Sequence, residues 1–107
     1  MTSAGPKPPT AFSEFAAAHP EVAAAYDKLG EATRAAGPLT ARETALVKMA
    51  ISIGARMEGA TRAHARKASH AGIERAALDQ VAVLACPTIG FPNMIAAYGW
   101  IRDALEK

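Results

Sequence analysis

Apolar residues recur at spacings of three and four along most of this chain, and Pro or Gly closes each stretch. Phe12 and Phe15 begin such a pattern, which Pro20 interrupts. Pro20 and Glu21 suit the first turn of a helix, and Val22, Tyr26 and Leu29 form its stripe until Gly37-Pro38. Thr40 and Glu43 stand three apart, as a capping box requires. The helix they open runs to about Ile53 and is apolar on more than one side, so it is expected to be central, with more than one neighbour. Gly54 is the expected break. A fourth helix is expected from Met57 to Ala71, capped by Gly72, then one from Glu74 to Ala85 and one from Asn93 to Leu105. No stretch alternates as a strand would. The pattern predicts an all-α bundle of five or six helices, forming one domain over 12–107 behind a flexible tail at 1–11.

Composition changes this picture in one respect. Half of the 107 residues are hydrophobic, but many are alanines, which bury little area each. A helical bundle with so thin a core gains by packing against other copies, so a homo-oligomer is expected. Net charge is only +2 at pH 7. The local cluster Arg62, His64, Arg66, Lys67 and His70 lacks interleaved aromatics and reads as a solvated helix face, with no nucleic-acid partner. Cys86 is the only cysteine, which excludes an intrachain disulfide and fits either a reducing compartment or indifference to the compartment. Met1 to Pro9 has no apolar signal core, and no apolar run reaches the roughly 18 residues of a membrane span. The expectation is a cytoplasmic protein with no membrane partner.

Candidate chemistry concentrates between Gly54 and Ala68. On a helix, Met57, Ala60, His64, Ala68 and Ala71 fall in one small, apolar stripe whose polar member is His64. Such a His is either a core residue with a hydrogen-bond partner or a proton-transfer group facing a pocket. Glu58, six residues earlier, does not share that face. It reaches Arg62 at four residues, as a surface ion pair, and would meet His64 only through a distorted first turn or from another subunit. Met57 and Met94 read as pocket or core fillers, and Phe91, Tyr98 and Trp100 as core or subunit contacts. His19, His64 and His70 do not have metal-ligand spacing, so neither a metal nor another cofactor is expected.

The layout resembles the carboxymuconolactone decarboxylase family, which includes the alkylhydroperoxidase D-like proteins. The residues that carry the likeness are the capped helix ending Ile51-Ser52-Ile53-Gly54, the run Met57-Glu58-Gly59-Ala60 through Ala63-His64, and Thr88-Ile89-Gly90-Phe91-Pro92. The resemblance implies that fold and a homotrimer or homohexamer. The family's peroxidase branch carries Cys-x-x-Cys-x-x-x-His. Matched on His64, its two cysteines fall on Met57 and Ala60, and its upstream Glu falls on Ala45. The decarboxylase branch has a Glu four residues before the His, and that position is also Ala60. His64 alone carries over, so the chain resembles a branch lacking the cysteine pair.

Decarboxylation of a carboxymuconolactone-like acid needs an oxyanion stabiliser and a proton donor to carbon. His64, with Glu58 as partner, is the candidate catalytic pair. Arg56 and Arg62 are candidate carboxylate contacts, with Met57 beside them. The expected function is therefore cofactor-free acid–base chemistry on a small organic acid or lactone. The alternatives are a ligand-binding or scaffold oligomer of the same fold, or a peroxiredoxin-type activity, suggested by the family label, that would have to use Cys86 alone.

Overall fold

The capping box forms as its spacing predicts. Thr40 Oγ1 accepts from the Glu43 amide at 3.0 Å, and Glu43 Oε1 accepts from the Thr40 amide at 2.9 Å. These bonds satisfy two of the amides that a helix start leaves without partners. In the computed structural model, which describes residues 10–106, they open α3 (Ala41–Gly54). It is preceded by α1 (Thr10–Ala18) and α2 (Pro20–Arg34), and followed by α4 (Glu58–His70) and α5 (Arg75–Leu84). The single turn α6 (Cys86–Ile89) then leads into α7 (Phe91–Leu105). Six helices are longer than one turn and the described residues hold no strand, as expected for the all-α class. α1 begins two residues inside the stretch read as a tail; the rest of that tail lies outside the described residues.

Two breaks in the chain share one geometry. After α4, Gly72 takes φ +96°, the Gly72 amide donates to the Ser69 carbonyl, and the Ile73 amide reaches back to Ala68. After α3, the Arg56 amide donates to Ile53 and the Met57 amide to Ser52, with Arg56 itself at φ +62°. Both are Schellman caps. Gly54 is the last helical residue, so the break falls two residues later than Gly54 suggests, on an arginine.

The core lies between α3, α4, α5 and α7. Met49, Leu78 and Ile101 are fully buried, and six of the eleven buried apolar residues are alanines. Ala65, Ala82 and Ala97 are each 0% exposed, so the helix backbones pack closely there. α3 packs against both α4 and α5, yet Val47 and Ile51 on its outer side remain exposed. Within one chain this helix is therefore not covered all round. α1 and α2 pack on each other and neither buries a residue. No helix among the described residues is long and apolar enough to cross a membrane.

Candidate functional site

α3 and α4 form a helical hairpin whose register is fixed by two buried hydroxyls. Ser52 Oγ donates to the Met49 carbonyl at 2.7 Å and lies 2.9 Å from Thr61 Oγ1. Ser52 has only one hydroxyl proton, so Thr61 donates to it. One turn further from the hairpin, this register sets Lys48 of α3 opposite His64 of α4.

The space between them is an open cleft of about 490 Å³. Ala41, Thr44, Ala45 and Lys48 wall it from α3, and His64, Lys67, Ala68 and Ala71 from α4, with Arg34 and Leu39 at its end. Each wall is a three-and-four spacing, one face of a helix. A smaller adjoining pocket of about 250 Å³ shares Arg34, Leu39, Thr44 and Lys48.

His64 is half-buried at this wall. Among the described residues no hydrogen bond engages its ring, so it is not held as a core histidine would be. Burial pushes its pKa below the usual value, and the charges of Lys48 and Lys67 lower it further. Both effects favour the neutral imidazole. No carboxylate lines the cleft among the described residues. Ala45, the residue matched in sequence to the upstream Glu of the peroxidase branch, lines the α3 wall.

The other site candidates lie elsewhere in the chain. Glu58 pairs with Arg62 at 2.8 Å, and Arg62 also approaches Asp103 of α7 at 3.9 Å. Neither lines the His64 cleft, and neither do Arg56 or Met57. Met57 is 55% exposed at the start of α4, so it is not the filler expected, whereas Met94 packs against the core. The α4 face buried in the core is Thr61, Ala65 and Ala68. The small stripe read from the sequence is thus rotated, which leaves His64 at the core's edge and Ala71 in the open. Trp100 packs against the core, while Phe91 and Tyr98 are exposed. Cys86, on α6, is outside the cleft. Among the described residues no group of His, Cys, Asp and Glu could hold a metal ion.

Arg34, Lys48 and Lys67 were not singled out by the sequence reading as site residues. Lys48 did leave a signal: it is the one charged residue in the apolar run from Ala45 to Ile53. Arg34 comes from another helix, so no local spacing could have joined it to His64.

The sequence profile of the carboxymuconolactone decarboxylase family matches residues 20–103. No curated protein and no solved structure matches the chain. The matched span runs from the first residue of α2 into the last turns of α7 and takes in both walls of the cleft, so the chain belongs to the carboxymuconolactone decarboxylase family.

Proposed function

We propose that the cleft beside His64 is the site of cofactor-free acid–base chemistry on a small organic acid. The observation that carries this reading is an imidazole with no hydrogen bond, on the wall of a cleft lined by three basic side chains and no carboxylate among the described residues. Arg34, Lys48 and Lys67 offer donors to a substrate carboxylate. They also favour negative charge developing on a carbonyl oxygen as carbon dioxide leaves. Bound anion offsets the cationic field at His64 and raises its proton affinity, so the ring takes up a proton where the substrate needs one. It then delivers that proton to carbon. Leu39, Ala45 and Ala68 supply apolar wall for the hydrocarbon part.

The roles read for Glu58, Arg56, Arg62 and Met57 fit this scheme only across a subunit boundary, since within one chain none lines the cleft. Assembly as a homotrimer or homohexamer belongs to the same proposal. It is supported by the exposed Val22, Tyr26, Leu29, Val47 and Ile51. A ligand-binding protein without turnover is the second reading, favoured by the lack, among the described residues, of a cleft carboxylate to orient the imidazole.

A panel of lactone and oxo carboxylic acids, assayed for decarboxylation with wild type and His64→Asn, separates the two. Proton transfer at His64 predicts a fall in turnover of about 10²–10⁴-fold with the oligomeric state unchanged. Equal turnover by the variant would overturn that role. Carboxylate binding with no turnover by either protein would establish the binding reading.

A further inference from the structure

Lys48 is unusual among the cleft's cations. It is half-buried, whereas Arg34 and Lys67 are exposed. No salt bridge engages it among the described residues, and it lines both the cleft and the adjoining pocket. The Ser52–Thr61 register sets it opposite His64. A half-buried lysine in a cleft wall shared with other cations, with no salt bridge among the described residues, is where a free amine is favoured over an ammonium.

We propose that Lys48 is a nucleophilic amine that forms an imine with the carbonyl of an oxo acid, whose carboxylate rests against Arg34 and Lys67. This rests on the reading of the cleft as a site for a small organic acid. Burial and the charges of Arg34 and Lys67 lower the Lys48 pKa, in the direction this chemistry requires.

The amine nitrogen attacks the carbonyl carbon and gives a carbinolamine. Its hydroxyl leaves as water with a proton relayed by His64, and the carbon–nitrogen double bond forms. With a 3-oxo acid, the protonated imine accepts the electron pair of the bond to the carboxylate as carbon dioxide departs, leaving an enamine. Protonation of the enamine carbon, followed by hydrolysis, releases a ketone and restores the free amine. One proton is consumed and one carbon dioxide released per turnover, with no oxidant or reductant. Two-oxo acids would form the same imine but lack the electron sink at the right carbon, so they would bind covalently without losing carbon dioxide.

Reductive trapping tests the proposal directly. The full-length protein is incubated with acetoacetate and cyanoborohydride, and the adduct is located by peptide mass spectrometry, with Lys28 and Lys67 as internal references. The expected result is one adduct, on Lys48, that is absent in Lys48→Arg and still forms, more slowly, in His64→Asn. Circular dichroism of both variants checks that they are folded. An adduct spread evenly over the three lysines, or no adduct on Lys48, overturns the proposal. Failure of the underlying reading looks different: His64→Asn would then keep full turnover of the acids in the panel.

Discussion

At the scale of single residues, two buried hydroxyls join the helices that wall the site. Ser52 and Thr61 hold α3 and α4 in the register that faces Lys48 toward His64. Their removal has unequal costs. In Ser52→Ala, the buried Thr61 hydroxyl loses its acceptor, and a stranded buried donor costs about 1–3 kcal/mol. In Thr61→Val, Ser52 keeps its bond to the Met49 carbonyl, so the loss is nearer to one ordinary hydrogen bond, about 1 kcal/mol. Urea denaturation should therefore rank Ser52→Ala below Thr61→Val, and the reverse order would refute this donor assignment. His64 was legible in the sequence because a lone imidazole among alanines is conspicuous. Glu58 settles on Arg62, one turn away, as the four-residue spacing predicts, and within one chain it does not line the His64 cleft. Lys48 was harder still, since a single lysine in an apolar helix reads as an exposed gap in its pattern until α4 is laid against it.

At the scale of elements, the ends of the helices were better written than their faces. Thr40 with Glu43, and Gly72, act through bonds to residues three to five positions away, so local sequence suffices to find them. α3 ends within one residue of the expected Ile53, but the left-handed turn falls at Arg56 and not at Gly54, the residue suited to it. A side chain in that conformation costs about 1–2 kcal/mol relative to right-handed backbone, and glycine returns part of that difference as unfolded-state entropy. Arg56→Gly should therefore stabilise the protein, by up to about 1 kcal/mol, in a denaturant titration. A destabilised variant would show that the arginine side chain makes a contact worth more than the strain, for example with another subunit.

At the scale of the whole molecule, an alanine-rich core and an amphipathic but uncovered pair of N-terminal helices belong to the same design. Alanines let α3, α4, α5 and α7 pack closely, but close packing of small residues buries little area. Val22, Tyr26 and Leu29 remain 55%, 60% and 61% exposed, at positions that form one stripe of α2. If copies of the chain cover that stripe, Leu29→Ser should lower the mass measured by light scattering at micromolar concentration while leaving helix content intact. An unchanged mass would place the subunit contacts elsewhere. The helical class and the order of elements were legible because periodicity is local. That α3 has more than one neighbour was legible too, from its apolar circumference, and α4 and α5 are those neighbours. What covers Val47 and Ile51 was not, because that is decided by the rest of the chain and by other copies.

The central claim is that the cleft between α2, α3 and α4 is a cationic carboxylate site with a neutral histidine in its wall. It is tested most directly by titrating the imidazole of His64 by NMR, with and without saturating malonate, using His64→Asn to assign the resonance among the three histidines. The account predicts a pKa below the ordinary value of about 6.5 in the free protein, and an upward shift when the dianion binds. A His64 that titrates at or above about 6.5 without ligand, and does not respond to malonate, would contradict it.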